Sequence, residues 1–246
     1  MKKVAIIQAR TSSTRLPEKV LMKLGDKPML INIIERVARA RSIDEVVVAT
    51  SDEPADDKVE ELLEGTGISC FRGSLDNVLE RFYLCAKEHN ADIVVRFTGD
   101  NALVDTGMID EAMQVFTDEK VDYIAYKESF PIGMCIEAFT FAALERSYNE
   151  ADDPDCREHV IPYIVNNPEM FKVLICTDES NDRSDLRFTV DTPEDYEFVR
   201  RIYDRFNSND FGYNDILKVL KDNPDWLDIN KIIRQKMYEY KGENRK

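Results

Sequence analysis

The sequence predicts an α/β protein built on a mostly parallel, mixed β-sheet with helices on both faces. Three observations carry this expectation. Short apolar runs rich in β-branched residues recur along the chain, and continuous rather than alternating apolar strands mark a sheet buried on both sides. Between them lie segments with apolar residues three and four apart, the pattern of the amphipathic crossovers in parallel sheets. The 246 residues, 43% hydrophobic and 33% charged, are enough for one α/β unit with a sizeable core and too apolar for wholesale disorder.

The elements follow in order. Val4, Ala5, Ile6 and Ile7 form an unbroken apolar run, so residues 4–9 read as a buried first strand. A helix is expected over 28–41, with Pro28 near its start and Leu30, Ile33, Ile34 and Val37 on one face. Residues 45–50 read as the second strand, 54–63 as a helix and 68–72 as a short third strand. Asp76 is the candidate N-cap of a helix over 77–89. The fourth strand, over 92–97, ends in the turn Thr98, Gly99, Asp100, and a helix follows near 106–116. The second half is more mixed, with short strands over 123–126, 134–138, 172–176 and 187–190 and helices over 140–150, 158–166 and 193–206. From residue 211 the pattern reads as two more helices. The expected organisation is one domain over 1–206 and a helical C-terminal appendage over 207–246, without repeats or low-complexity tracts.

A net charge of -15 argues against non-specific binding to nucleic acid or anionic membranes. The five cysteines are odd in number, scattered and without CxxC spacing, which suits free thiols in a reducing cytosol. The apolar start stops at Gln8, short of the ~7–15 residues of a signal-peptide core. No apolar run approaches the ~18 residues of a membrane helix. A cytoplasmic protein with neither a membrane nor a nucleic-acid partner is therefore expected.

Open α/β sheets bind ligands beyond the carboxyl ends of their strands. Just there, after the first strand, stand Arg10, Arg15 and Lys19, with the hydroxyls of Thr11, Ser12, Ser13 and Thr14 and only Glu18 in opposition. Guanidinium forks, a mobile ammonium and hydroxyls are the chemistry that a triphosphate needs. The bland alternative is a solvated basic loop. Neither GxxxxGK[ST] nor GxGxxG occurs there, which removes support for P-loop ATPase and dehydrogenase readings.

Two acidic turns stand out. Asp100 at the tip of the fourth strand suits Mg²⁺, which takes one or two protein carboxylates plus phosphate oxygens; turn aspartates with no metal are equally common. In the second turn, Asp191 or Thr192 caps a helix with Pro193 in its first turn, and Glu194 and Asp195 suit the helix N-terminus electrostatically. After the third strand, Gly73 permits close backbone approach and Arg81 lies one turn into the next helix. His89 reads as C-terminal capping. His159 is as often structural as functional.

Ile6, Ile7, Gln8, Ala9 and Arg10, then Ser13, Thr14, Arg15, Leu16 and Pro17, then Lys19, Val20 and Leu21 closely resemble the opening of the sugar-acid cytidylyltransferases. These are relatives of the CMP-sialic acid and CMP-KDO synthetases, and the spore coat polysaccharide branch is the most similar. The resemblance implies a Rossmann-like nucleotidyltransferase fold, shared with nucleotide-diphospho-sugar transferases. It implies CTP and a small sugar as substrates and Mg²⁺ as cofactor. Arg10, Arg15 and Lys19 would act on the phosphates as the catalytic cations. Ala9 would lie near the base, with Ser12, Ser13 and Thr14 in the nucleotide cradle. Asp100 and Asp191 would hold the metal beside Thr98. Arg72 or Gly73 would approach cytosine, and Arg81 would lie near the nucleotide or pair with Asp76. Gly133, Glu137, Glu158 and His159 would face the sugar. The sequence departs from the family pattern at Thr11 and Ser12 (usually Met-Gly), Glu18 (usually Gly), Asn77 after Asp76, Asn101 and Ala102 (usually Cys-Pro) and Cys135 (commonly Asp). The phosphate and metal residues are kept, while the sugar side drifts.

The expected reaction is attack by a sugar hydroxyl on the α-phosphate of CTP, giving a CMP-sugar for polysaccharide or glycan synthesis. One alternative is a glycosyltransferase of the related fold, which has no departing pyrophosphate and hence no need of the basic loop. The other is a non-catalytic nucleotide-binding partner. The helical tail would serve a partner or a homodimer, since such relatives often pair.

Overall fold

The computed structural model describes residues 1–234. The buried run at the start forms β1 (Lys3–Gln8). A small hairpin of β2 (Lys23–Leu24) and β3 (Lys27–Pro28) precedes α1 (Met29–Ala38). The sequence reading did not include this hairpin; its turn is made by Gly25 at φ +65°. Two crossovers follow, through β4 (Glu45–Ser51), α2 (Asp57–Leu63) and β5 (Ser69–Gly73). The helix expected from residue 54 begins as the 3₁₀ turn Pro54–Asp56 before α2. Then come α3 (Val78–Glu88), β6 (Ile93–Thr98), α4 (Thr106–Glu119), β7 (Tyr123–Tyr126), β8 (Ile136–Thr140) and α5 (Phe141–Glu150). The Asn77 side chain, not Asp76, caps α3 by accepting from the Glu80 N–H at 3.2 Å. Asn77 directly precedes the first helical residue, which puts its carbonyl oxygen within reach of the unpaired N–H groups.

The helix expected over 158–166 is two helices, α6 (Pro154–His159) and α7 (Pro162–Val165). Val160 at φ +70° breaks the run, and Pro162 has no N–H with which to continue it. After β9 (Val173–Cys176), the strand expected over 187–190 is absent. Only a single parallel bridge joins Ile132 to Arg187; Phe188 and Val190 of this segment enter the core, while Arg187 turns to an ion network described below. The chain closes with α8 (Pro193–Phe206), α9 (Tyr213–Asp222) and the 3₁₀ turn Pro224–Asp228. The rest of the second expected tail helix, over 235–246, falls outside the described residues.

The seven-stranded sheet runs β5-β4-β1-β6-β8-β7-β9. β8 alone runs antiparallel to both of its neighbours; the other pairings are parallel. The expected mixed, mostly parallel sheet is therefore present. Alternate residues of β1 face opposite layers. Ala5 and Ile7 join a core with α1, α4, α8 and α9, whereas Val4 and Ile6 join a core with α3, α5, α6 and α7. From β1 the chain winds outward to β4 and β5, then returns to the other side of β1 at β6. That reversal opens a crevice beyond the ends of β1 and β6.

The segment after α8 is tied to the main core. Arg36 is 1% exposed and donates to the carbonyls of Val104 (2.7 Å) and Phe211 (2.8 Å), with its guanidinium 4.4 Å from the Phe211 ring centre. Ile216 and Leu220 of α9 belong to the same buried cluster as α1. Among the described residues no helix is long and apolar enough to cross a membrane.

Gly133, at φ +95°, lies so close to the 187–191 segment that a Cβ on it would stand 2.4 Å from the Thr189 nitrogen. Both the conformation and the contact exclude a side chain. Gly133→Ala should therefore cost roughly 2–3 kcal/mol, read as a lower denaturation midpoint.

Candidate functional site

The loop after β1 is fixed before it meets any ligand. The Thr11 N–H donates to Asp56 Oδ1 at 2.6 Å, the Thr11 hydroxyl donates to the same oxygen at 2.8 Å, and the Ser51 hydroxyl donates to Asp56 Oδ2. Asp56 is 1% exposed. Burial pushes its pKa up, but the hydrogen bonds from Ser51 and Thr11 outweigh this and hold it below the usual carboxylate range. The sequence reading had no signal for Asp56, which looked like one more acid at a helix start.

Lys19 is the centre of the site. Its ammonium lies 2.8 Å from Asp100 Oδ2, 2.9 Å from Asp191 Oδ1 and 2.8 Å from the Val190 carbonyl. Burial pushes the Lys19 pKa down, but the two carboxylates more than offset it and raise the value. The two acidic turns are themselves joined, since the Val190 N–H donates to the Asp100 carbonyl at 3.0 Å. The Thr98 hydroxyl donates to Asp100 Oδ1. Gly99 keeps the turn against β1, where a Cβ would stand 3.1 Å from the Gln8 carbonyl.

Behind Asp191 lies a buried network. Arg187 donates to Asp195 Oδ1 at 2.8 Å and Oδ2 at 3.0 Å, and to Asp191 Oδ2 at 3.0 Å. Arg15 reaches the same Asp191 oxygen at 3.1 Å. Asp195 is fully buried; it completes a capping box with Thr192 at the start of α8 and also accepts from Asn230 at 3.1 Å. Its role thus goes beyond the expected electrostatic one. Burial tends to raise the Asp191 pKa, and Lys19, Arg15 and Arg187 hold it below the usual range instead.

Two clefts open here. The smaller, of about 370 Å³, is walled by Ser13, Thr14, Arg15, Lys19, Thr98, Asp100 and Asp191. The larger, of about 720 Å³, runs along the start of α3 to α6 and includes Arg81, Arg96, Glu158 and His159. Gln8, Ala9 and Arg10 line both. Arg81 is 2% exposed. It donates to the Ser74 carbonyl at 2.7 Å, and its Nε has no partner. Burial and then the Arg10 charge push its pKa down to about 10, so it stays cationic at neutral pH.

Not every expected residue is brought to these clefts. Ser12 is exposed and lines neither. Arg72 forms ion pairs with Asp57 (2.6 Å) and Glu60 (2.9 Å) and donates to the Ser51 and Glu53 carbonyls. Those contacts consume the guanidinium as a brace between β5 and α2, away from both clefts. Gly73 packs on Arg81, where a Cβ would stand 3.2 Å from its Cγ. Arg81 forms its bond with the Ser74 carbonyl and none with Asp76. Gly133 holds the backbone junction already described. Glu137 stands one layer back, accepting from Arg96 at 2.6 Å and from the Tyr123 hydroxyl at 2.9 Å. Arg96, which also donates to Gln8 at 3.1 Å, escaped the sequence reading. Its signal was available, as the one charge inside an apolar strand. Arg187 was quoted only as part of a motif.

Among the described residues no group of three or more His, Cys, Asp and Glu is placed to hold a metal alone. Asp100 and Asp191 nonetheless already grip one cation, the Lys19 ammonium. Two oxygen donors of this kind suit a hard divalent ion that completes its shell with phosphate oxygens and water, and they do not suit a structural zinc site.

The cytidylyltransferase family model matches residues 4–243. An uncharacterized protein of Methanocaldococcus jannaschii is 38% identical over 239 residues, covering 97% of this chain and 98% of that protein. The spore coat polysaccharide biosynthesis protein SpsF of Bacillus subtilis is 35% identical over 227 residues, covering 89% and 94%. A solved cytidylyltransferase from Leptospira borgpetersenii serovar Hardjo-bovis superimposes with a TM-score of 0.88 at 37% identity, covering 97% and 100%. CMP:2-keto-3-deoxy-manno-octonic acid synthetase complexed with CTP shares the fold, with a TM-score of 0.65 at 19% identity over 83% and 99% of the two chains.

Because Asp191 has a lowered pKa, the stability it contributes is complete above the ordinary aspartate range and is lost as pH falls through its native value. Asp191→Asn leaves Lys19 and Arg187 short of a charge and should cost about 3–5 kcal/mol near neutrality. Its melting-temperature deficit should shrink as pH falls below the ordinary aspartate range and on through the lower native value, where the wild-type carboxyl takes up its own proton.

Proposed function

We propose, from the premise that this chain belongs to the cytidylyltransferase family, that it transfers CMP from CTP to a hydroxyl of a sugar acid and releases pyrophosphate, with Mg²⁺ as cofactor. One observation carries the reading: the basic loop after β1 delivers Lys19 between Asp100 and Asp191 at 2.8 and 2.9 Å. Phosphate-binding cations and a cation-binding acidic pair thus share one cleft. The family supplies the nucleotide. The sugar acid draws on relatives, one named for spore coat polysaccharide biosynthesis and others named 3-deoxy-manno-octulosonate cytidylyltransferases, among them that of Geobacter sulfurreducens, 40% identical over 44% of this chain.

In this reading the acceptor oxygen forms a bond to the α-phosphorus. The bond from that phosphorus to the bridging oxygen of pyrophosphate breaks, and the hydroxyl proton passes to solvent. Asp100 and Asp191 would hold Mg²⁺, which when bound supplies positive charge to the reacting phosphate oxygens. Lys19, with Arg10 and Arg15, would place its positive charge against the departing pyrophosphate. Arg187 keeps the Asp191 carboxylate in place throughout. Arg81, on the wall of the larger cleft, would place its positive charge beside the nucleotide. No side chain forms a covalent intermediate, and catalysis rests on position and charge.

Pyrophosphate release with each of the four nucleoside triphosphates and a panel of sugar acids tests the proposal. Release with CTP and one acid supports it; CTP bound without release in any combination defeats it. Lys19→Ala should lower kcat by about 10²–10³-fold, and near-normal turnover would remove the role given to that lysine. Chelation of divalent ions should stop release, and release should return with added Mg²⁺.

A further inference from the structure

A fully buried carboxylate behind the acidic pair fixes Asp191 twice. Asp195 Oδ2 accepts from the Asp191 backbone N–H at 3.1 Å. Both Asp195 oxygens orient Arg187, which in turn donates to Asp191 Oδ2 at 3.0 Å. The backbone and the side chain of Asp191 thus depend on the same group. The donors that Asp195 finds in Arg187, Asp191 and Thr192 all lie within residues 187–195, and so local a cluster can shift as one body. Among the described residues, one donor to Asp195 comes from elsewhere in the chain: Asn230, 35 residues further on.

Asn230 is 4% exposed. Its amide nitrogen donates to Asp195 Oδ1 at 3.1 Å and to the Arg187 carbonyl at 3.0 Å. A primary amide carries two N–H groups, and here each meets a buried acceptor. An apolar side chain of similar size would leave both acceptors without that donor, and a carboxylate would set a second negative charge against Asp195. The segment that carries Asn230 is itself anchored. Trp226 and Ile229 pack on the main core, and the Arg201 guanidinium of α8 lies 5.9 Å from the centre of the Trp226 ring. The cap of α8 uses Asp195 Oδ2 and Thr192, whereas Asn230 meets Oδ1, the oxygen that Arg187 Nε shares. The contact therefore bears on the Arg187 side of the carboxylate rather than on the helix start.

We propose that Asn230 is a positioning residue for the divalent cation: through Asp195 and Arg187 it sets how Asp191 is presented, so that the C-terminal segment belongs to the metal site. This rests on the reading above in which Asp100 and Asp191 hold Mg²⁺. Groups that orient a metal ligand from behind set metal affinity by about 10–100-fold. Asn230 acts through a further hydrogen bond, so the lower end of that range, about tenfold, is expected.

The test uses Mn²⁺ as a paramagnetic stand-in for Mg²⁺. Free Mn²⁺ is followed by electron paramagnetic resonance as the ion is titrated into the full chain with CTP, and the uptake by CTP alone is subtracted. Wild-type protein should retain Mn²⁺ beyond that control. Asn230→Leu should weaken the retention about tenfold and leave CTP affinity in EDTA within about twofold of wild type. Asn230→Ala, smaller and equally without a donor, carries the same test should the leucine variant not fold. Ile216→Ala, which removes a core side chain of α9, should lower the melting temperature without moving Mn²⁺ affinity, and so separates positioning from stability. Unchanged Mn²⁺ affinity in the folded Asn230 variant overturns the assignment. So does an equal loss in Ile216→Ala, or a wild-type protein that retains no Mn²⁺ beyond the control. Pyrophosphate release keeps the two readings apart. Release that persists alongside unchanged Mn²⁺ affinity in the variant removes only the role of Asn230. Absence of release with every acid removes the reaction, whatever the Mn²⁺ titration gives.

Discussion

Two aspartates directed at one point repel each other, and the structure is arranged around keeping them there. Unit charges 4 Å apart interact by about 4 kcal/mol at the effective dielectric near a protein surface, a large part of a domain's net stability. The molecule answers with three cations. Lys19 bridges Asp100 and Asp191, Arg15 approaches the outer oxygen of Asp191, and Arg187 holds that oxygen from within. Arg187 is buried only because Asp195 meets it with both oxygens, and Asp195 is held by the start of α8 and by Asn230. The basic loop after β1, the sheet, α8 and the C-terminal segment are therefore joined through one charge balance. The groups that would treat a bound cation and its phosphates are the same groups that hold these elements together.

Much of this was legible in the sequence. The apolar strands of the first half were visible because parallel strands buried on both faces show no polar alternation to confuse them. The basic loop was visible because three cations in a chain this acidic are conspicuous, and its position after a strand gave it meaning. The resemblance drew attention to Asp100 and Asp191, which the fold brings together on Lys19; spacing alone left Asp100 balanced against a turn or capping role and favoured capping at the Asp191 turn. What escaped depended on distant partners. Arg72 looked like a ligand for the base until Asp57 and Glu60 were found around it. Asp56 drew no reading from the sequence, because only the fold brings Thr11 and Ser51 onto it. The helix drawn over 158–166 ran through Pro162, a local signal that the apolar pattern concealed.

The departures from the family pattern have unequal physical weight. Glu18 stands where relatives have glycine, and its φ is +56°, the left-handed region that costs a side-chain-bearing residue roughly 1–2 kcal/mol. The surrounding hydrogen bonds hold it there: the Glu18 N–H donates to the Thr11 carbonyl at 2.9 Å, and Leu21 donates to the Glu18 carbonyl at 2.9 Å. Cys135, where relatives commonly carry aspartate, donates to the Tyr126 carbonyl at 2.9 Å, and burial raises its pKa to about 12. It is a neutral neighbour of Glu137 where an aspartate would add a second negative charge. The substitution changes the field behind Arg96 and leaves the acidic pair at the reaction end untouched.

The order of strands in the sheet has a consequence for how the molecule is made. β7 precedes β8 in the chain yet lies outside it, so the sheet cannot be laid down edge to edge as synthesis proceeds. β8 has to enter between β6 and a β7 that has already emerged. The partner that Lys19 needs arrives later still, 172 residues further on. A chain that stops short of residue 191 therefore carries a basic loop with Asp100 but without the second of its balancing acids, and contacts this distant in sequence form slowly. The charges that define the site are therefore complete only once residue 195 has been made.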